Sequence, residues 1–268
     1  MTVVAPARDA VAAATDSLRA AGCESPRLDA ELLVAAAIGL DRLELVASPD
    51  VGLGSAASRT LMGWVRRRAR REPIAYILGS KPFRRIEVEV DSRVLIPRPE
   101  TELLVEVAVE LAPRDGRVHD VGTGSGAVAL AIKDERPDLV VSASDRSPGA
   151  VDVTRRNAER LGLEIEVGIE TGLPTGEYDL VVANLPYVRD DEWDALEPEI
   201  TGYEPRDALL AGEDGLDEIR ALVAAAPPGT LLALEHAPAQ AEAVRALLAD
   251  AEPRPDLSGR ERVTFGRA

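Results

Sequence analysis

Apolar residues recur at helical spacing through the first part of the chain. Val11 to Ala21 carries one such stripe. Ser25 then stands where a cap belongs, with Pro26 at the first helical position and Gly39 just past the end, which predicts a second helix. A third, short helix is expected after Asp41. A fourth is expected from about Ala56 to Arg71, stopping before Pro73. No stretch to about Glu72 alternates with period two, so this part is expected to form a small helical domain or arm.

From Tyr76 to Ile96 the period changes. Ile86, Val88 and Val90 alternate with Arg85, Glu87 and Glu89, Asp91-Ser92 suits a turn, and Val94-Leu95-Ile96 resumes an extended run. That predicts a β-hairpin, ended by Pro97 and Pro99, followed by a helix over Glu100 to Ala112. The remainder alternates. Strands are expected at Val118 to Val121, Leu139 to Ala143, Ile165 to Val167, Leu180 to Ala183, Leu231 to Leu234 and Val263 to Phe265. Helices are expected at Ala127 to Glu135, Pro148 to Leu161, Asp214 to Ala225 and Ala239 to Leu248. Such alternation implies a mostly parallel sheet with helices on both faces.

Composition narrows the function. Aromatics make up 3% of the 268 residues, so the core rests on Ala, Val, Leu and Ile. The net charge of −16 repels phosphate backbones and argues against a broad nucleic-acid surface. One basic run, Arg66 to Arg68 with Arg70 and Arg71, is read as a solvated helix end; the alternative is a patch for an RNA-bound or acidic partner. Cys23 is the only cysteine, which fits a reducing cytosol. The N-terminus lacks the layout of a signal peptide. The apolar stretch Ala221 to Leu234 is broken by Pro227, Pro228 and Gly229 and is too short for a bilayer. With two histidines and no cluster at ligand spacing, no metal is expected.

Chemistry concentrates in two loops. The first is Asp120-Val-Gly122-Thr123-Gly124-Ser125-Gly126, between an expected strand and helix. Its glycines allow sharp turns and close approach of a ligand, and the helix start offers free N–H groups and a positive dipole end. Such a loop holds a pyrophosphate in dinucleotide enzymes. In methyltransferases it cradles the amino acid end of S-adenosylmethionine; the loop alone does not separate the two. Asp145 ends the next strand, 21 residues past Gly124, where a carboxylate can accept two ribose hydroxyls; it also suits a helix cap before Pro148.

The second loop picks the reaction. An apolar strand, Asp179 to Ala183, runs straight into Asn184-Leu185-Pro186-Tyr187. Taken alone this could be an ordinary turn. At the C-terminal end of a strand, behind the glycine loop and Asp145, it should line the ligand site. An amide nitrogen is a poor nucleophile because its lone pair is delocalised. Two acceptors against its N–H groups, the Asn184 side-chain oxygen and the Leu185 carbonyl, can hold the NH₂ and enrich the nitrogen. Pro186 stiffens the loop and Tyr187 can pack against the flat amide.

These residues resemble the bacterial release factor glutamine methyltransferases, the PrmC/HemK family, over nearly the whole chain. Pro73-Ile-Ala-Tyr76-Ile-Leu-Gly79 with Phe83 looks like the family's linker. Val94-Leu-Ile-Pro97-Arg98-Pro99-Glu100-Thr101-Glu102 is similar to its motif before the catalytic domain. Glu204-Pro-Arg-Asp-Ala-Leu, Gly212-Glu-Asp-Gly215-Leu, Glu235-His236 and Gln240 also fit. The resemblance implies a Rossmann-like, seven-stranded class I methyltransferase domain over 98–268, a helical substrate-recognition domain over 1–75 and a β-hairpin linker over 76–97. It implies methylation, by S-adenosylmethionine, of the N5 amide of the glutamine in the Gly-Gly-Gln motif of peptide chain release factors. It assigns cofactor contacts to Gly122, Thr123, Gly124, Ser125, Gly126, Asp145 and Asn184, with Thr101 near the methionine end and Thr171 near the adenine. It assigns the substrate glutamine to Asn184, Leu185, Pro186 and Tyr187, with Asn184 and Tyr187 catalytic. A cytoplasmic monomer with no nucleic-acid or membrane partner is expected. The family usually has Pro where this chain has Leu185, and an Asp followed by a large residue where it has Glu170-Thr171.

Other readings are a methyltransferase for an exocyclic nucleobase amine, which the acidic charge and unadorned helical arm oppose, and one for a ribosomal-protein glutamine, which the Pro97 to Glu102 motif opposes. A non-catalytic cofactor-binding protein or an NAD-dependent dehydrogenase would leave the Asn184 to Tyr187 loop unexplained.

Overall fold

The computed structural model describes residues 5–268, so residues 1–4, the start of the expected helical domain, lie outside it. The chain forms two compact units. One runs to Gly79 and includes Glu197–Tyr203; the other comprises Ser80–Leu196 and Glu204–Ala268.

The first unit is helical: α1 (Ala7–Ala20), α2 (Pro26–Ile38), α3 (Arg42–Ala47), α4 (Ser55–Ala69) and α5 (Ile74–Leu78). Leu18, Leu33, Val34 and Leu61 meet in its core with Leu45, Leu53 and Ile77. Gly39 ends α2 in the left-handed region at φ 73°, as its position predicts. Ser25 occupies the cap position, but its side chain makes no capping bond; Pro26 suits the first helical position, where a missing N–H costs no helical bond. Asp41 and Glu44 form a reciprocal capping box on α3. Two short strands escaped the periodicity, β1 (Ala5–Pro6) against β2 (Gly52–Leu53), because two residues carry no period.

The arginine run is a solvated helix end only at Arg66 and Arg70, which are exposed; Arg67, Arg68 and Arg71 are engaged. Arg68 is buried and pairs with Asp29 at 2.7 Å and Glu199 at 2.8 Å. Arg71 holds Glu199 at 2.6 Å, and Arg67 holds Glu72 at 2.6 Å. Glu199 comes from Glu197–Tyr203, a stretch from far along the chain that local patterning could not assign to this unit.

The second unit opens with a hairpin, β3 (Ser80–Phe83) against β4 (Ile86–Glu89). Phe83 pairs with Ile86, so the turn is Arg84-Arg85, with Arg84 at φ 53°. The expected turn at Asp91-Ser92 is present, the Val94 N–H donating to the Asp91 carbonyl at 3.1 Å, but the return strand at Val94 to Ile96 does not form, and Tyr76 lies in the helix α5 and not in an extended run. Val94 and Ile96 are buried without being a strand; the Ile96 N–H donates to the Glu204 carboxylate at 3.2 Å.

A short 3-10 turn, Pro99–Thr101, leads into α6 (Glu102–Leu111). Then come β5 (Arg117–Val121), α7 (Ala127–Glu135), β6 (Val140–Asp145), α8 (Pro148–Leu161), β7 (Glu166–Ile169) and β8 (Leu180–Ala183). After α9 (Pro198–Tyr203), which belongs to the helical unit, follow α10 (Asp217–Ala225), β9 (Leu231–Glu235), α11 (Ala241–Arg245), β10 (Ala249–Pro255) and β11 (Glu261–Arg267). The sheet has the order β10-β11-β9-β8-β5-β6-β7, and its bonded pairs are parallel except those of β11. This is the expected seven-stranded Rossmann-like sheet. β10 was not foreseen. It is an edge strand holding Pro253 and Pro255, residues an edge tolerates and a pattern search rejects. β5 hydrogen-bonds to both β6 and β8, so the chain reverses its winding there. The carboxyl ends of these strands form the crevice where open α/β sheets bind ligands. Among the described residues, no helix is long and apolar enough to cross a membrane.

Candidate active site

The glycine loop leaves β5 at Val121 and enters α7 at Ala127. Gly122, Gly124 and Gly126 lie at φ 74°, 58° and 82°, in the left-handed region that glycine enters at no steric cost. Thr123 faces inward, its hydroxyl donating to the Asp120 carboxylate at 2.6 Å. Asp120 is fully buried, and burial pushes its carboxyl up to about 7. The Gly122 and Thr123 N–H groups both donate to the Ser144 carbonyl, at 2.9 and 3.0 Å. Ser125 is buried, and its carbonyl accepts from Asn157 at 2.9 Å.

Asn157 had no motif to announce it. It sits on the buried face of α8 and also exchanges two bonds with the Glu89 backbone, at 2.7 and 3.0 Å, tying hairpin, helix and loop together. A lone amide among Val153, Thr154 and Ala158 was the available signal.

Asp145 ends β6 as expected. Its Oδ2 accepts from the Gly124 N–H at 3.0 Å and its Oδ1 from the Ser147 N–H at 2.9 Å. The cap of α8 is Ser147, whose hydroxyl accepts from Ala150, so Asp145 is free of that duty. Each Asp145 oxygen keeps a lone pair for a further donor. Glu170 and Thr171 follow β7 directly, exposed, with the Glu170 N–H on the Asp145 carbonyl at 3.1 Å.

Asn184 follows β8. Its Nδ2 donates to the Thr101 hydroxyl at 3.0 Å, which leaves Oδ1 as an acceptor on the other side of the amide. Thr101 is buried at the turn before α6, so it meets the site through Asn184. Leu185 turns its side chain into the core beside Val121, Leu216 and Leu232; a Cβ on Gly122 would lie 3.0 Å from its Cδ2. Pro186 and Tyr187 are half-buried. Gln240 donates to the Tyr187 carbonyl at 2.9 Å and to the Asp214 and Gly215 carbonyls at 3.1 and 3.2 Å. Gly215 can only be glycine: at φ 73° its Cβ would stand 2.3 Å from the Tyr187 oxygen. Burial also pushes the Tyr187 phenol well above its ordinary range.

Two motifs that sequence could match but not explain now have roles. Glu204 takes Arg98 at 2.5 Å and the Ile96 N–H, so the stretch before α6 and the stretch after α9 are one assembly. Glu235 ends β9. Val181, Val182 and Ala183 of β8 pair with Leu232, Ala233 and Leu234, so one further step along that register sets Glu235 beside Asn184. Burial pushes its carboxyl up to about 7, against the Thr101 and Tyr187 hydroxyls, which hold the ionised form. Its Oε2 is the buried side-chain oxygen without a partner among the described residues.

This arrangement fits S-adenosylmethionine. Three left-handed glycines bring backbone within reach of an amino acid terminus at a helix start, and Asp145 stands one strand over with acceptor capacity for a ribose. Beyond them, at the end of β8, stands the Asn184 amide with its Oδ1 left to accept.

Comparison with known proteins agrees. Residues 9–79 match the PrmC N-terminal domain, and residues 99–198 match the methyltransferase small domain. The release factor glutamine methyltransferase of Geobacter sulfurreducens is 41% identical over 259 residues, covering 92% of this chain and 91% of that one. The one from Deinococcus radiodurans is 39% identical over 273 residues, covering 97% and 98%. The catalytic domain of hMettl16, solved in complex with MAT2A 3'UTR hairpin 6, shares the fold alone: 12% identity at a TM-score of 0.51, over 66% of this chain and 73% of that one. The sheet is that of a class I, S-adenosylmethionine-dependent methyltransferase. At this identity and coverage, the chain belongs to the release factor glutamine methyltransferase family.

Proposed function

We propose that this enzyme transfers a methyl group from S-adenosylmethionine to the N5 amide nitrogen of the glutamine in the Gly-Gly-Gln motif of peptide chain release factors. The observation that carries the reading is the Asn184 amide, anchored through Nδ2 on Thr101 with Oδ1 left to accept. Bound S-adenosylmethionine supplies a methyl group activated by its positive sulfur. The chain's own residues do the rest. Gly122 to Gly126 and Asp145 hold the cofactor, with Thr123 and Ser125 bracing the loop from within and Thr171 bordering the adenine. Asn184 Oδ1 and the Leu185 carbonyl accept the two amide protons and fix the nitrogen's direction. Pro186 and Tyr187 wall the carboxamide and exclude water. Alignment of nitrogen, methyl and sulfur is then the main catalytic effect.

On this reading the helical unit recognises the release factor, and the enzyme works as a monomer in the cytosol without nucleic acid. Incubation with labelled cofactor and purified release factor, followed by mass mapping, tests it. A single methyl on the Gly-Gly-Gln glutamine is expected. Label elsewhere, or only on a ribosomal protein or a nucleobase, would overturn it.

A further inference from the structure

Two buried side chains on one face of α8 grip the glycine loop, and the proposed reaction uses neither. Thr154 and Asn157 stand about one helical turn apart, and both are 0% exposed. The Thr154 hydroxyl donates to the Gly124 carbonyl at 3.0 Å, and Asn157 Nδ2 donates to the Ser125 carbonyl at 2.9 Å. Two consecutive carbonyls of the loop are thus turned onto α8. A trans peptide sets its C=O and N–H in opposite directions, so the hold on the Gly124 carbonyl aims the Ser125 N–H away from the helix. The approach is close: a Cβ on Gly126, already at φ 82°, would stand 2.8 Å from Thr154 Cγ2. Asn157 has a second hold. Its Oδ1 accepts from the Glu89 N–H at 2.7 Å, and its Nδ2 also donates to the Glu89 carbonyl at 3.0 Å. Glu89 pairs with Ser80 in the β3–β4 hairpin. One amide therefore divides its bonds between loop and strand, and losing it leaves buried backbone groups unpaired.

We propose that Thr154 and Asn157 are positioning residues for S-adenosylmethionine: by drawing the Gly124 and Ser125 carbonyls back onto α8 they hold the glycine loop in its binding shape before the cofactor arrives, and through Asn157 the β3–β4 hairpin anchors that shape. The proposal rests on the loop's assignment to the cofactor and not on which amide is methylated. Asp145 supports it from the neighbouring peptide. Gly124 is fixed at its N–H by the Asp145 carboxylate and at its carbonyl by Thr154, so neither peptide unit of this glycine is free to swing. Glycine gives the loop its turns at a cost in backbone entropy, and α8 supplies the restraint that glycine lacks.

The test separates the hold on the loop from the binding it serves. Backbone amide exchange at Gly124, Ser125 and Gly126 is followed by NMR in cofactor-free protein, and S-adenosylmethionine affinity by calorimetry. The variants are Thr154→Val, Thr154→Ser, Asn157→Ala and Val153→Ala. Thr154→Val keeps the shape and removes the donor, so loop exchange should quicken about tenfold and affinity fall about fivefold to tenfold. Thr154→Ser keeps the hydroxyl and should recover affinity to within about threefold of wild type. Asn157→Ala frees a loop carbonyl and both Glu89 groups, and should weaken affinity about tenfold to a hundredfold. If that variant fails to fold, the two Thr154 variants carry the test. Val153→Ala, on the same helix and 0% exposed, should lose thermal stability and keep affinity within about twofold. Unchanged loop exchange in Thr154→Val would overturn the proposal. So would an affinity loss in Val153→Ala as large as that in Thr154→Val, which would make the stability of α8 the whole effect. Faster loop exchange with unchanged affinity would instead overturn the assignment of the loop to the cofactor, a result that neither of the other two resembles.

Discussion

Both units bury carboxylates, and Asp29 and Glu199 in the helical one are treated differently from Glu235 in the sheet one. In the helical unit Asp29 and Glu199 meet Arg68, with Arg71 also on Glu199, and the charges are matched at 2.6 to 2.8 Å. Burial lowers the Arg68 guanidinium's affinity for its proton, but the two carboxylates outweigh it and hold the charge. In the sheet unit Glu235 is 2% exposed, none of the ion pairs among the described residues reaches it, and its Oε2 has no partner there. A matched buried charge supports the fold. An unmatched one costs stability, and such groups cluster at functional sites.

The largest effect should come from unmatching the first centre. Arg68→Ala strands Asp29 and leaves Glu199 to Arg71 alone, and should cost about 3–5 kcal/mol, read as a lower urea midpoint. Loss under about 1 kcal/mol would mean that the ion pairs are replaceable by water and that the contrast between the units is false.

Asn184→Ala should come next. It removes an acceptor that acts on the reacting group and should cut kcat about 10²–10³-fold, with thermal stability nearly unchanged because Asn184 is only half-buried. Unchanged turnover on a release factor would remove the residue from the reaction.

Glu235→Gln should act on stability in the direction opposite to Arg68→Ala. The unfolded carboxyl loses its proton near 4.5 and the folded one near 7. The native state therefore binds the extra proton between those values, and ionisation destabilises it increasingly through that window. The penalty is absent below about pH 4.5 and complete above about pH 7, where it reaches at most about 3 kcal/mol. The variant should thus melt above wild type at pH 8.5 and alongside it at pH 5 by calorimetry. A variant less stable at both values would show that Glu235 is matched after all.

A smaller loss is expected at Asp145, where each oxygen keeps one lone pair for a ribose. Asp145→Ala should weaken cofactor binding about tenfold to a hundredfold by calorimetry. Because its carboxylate also braces Gly124 and Ser147, Asp145→Asn, which keeps one oxygen, should fall between the two.

The readable parts of this molecule were those whose physics is local. Ile165 to Val167 and Leu180 to Ala183 announce strands by composition, Pro148 and Gly162 bracket α8, and the glycine loop and Asn184 to Tyr187 fall at strand ends, where ligands bind. What stayed hidden depends on partners distant in sequence. The arginine run looked like a solvated surface because Asp29 and Glu199 lie 39 and 131 residues from Arg68. The hairpin turn at Arg84-Arg85 was missed; Arg84 there is held by Glu135 and Glu106, far outside any local window. Asn157 has no signature of its own; its role comes from the backbone groups set against it.

Leu185 gives the smallest expected effect and the sharpest check on the amide grip. If only its carbonyl matters to the reaction, Leu185→Pro keeps the acceptor and stiffens the chain, and the residue before it, Asn184, is pushed toward the extended backbone. The side chain is not idle, however. It is 8% exposed and packs under the glycine loop against Gly122. A proline ring fills less of that space, so some core contact is lost, while the gain from a restricted unfolded chain is about 0.4–1 kcal/mol. The two nearly offset. The variant should melt within a few degrees of wild type and keep kcat within about threefold. A folded but inactive Leu185→Pro would mean that leucine's packing under Gly122, rather than its carbonyl, sets the loop, and the second acceptor on the substrate amide would have to be sought elsewhere.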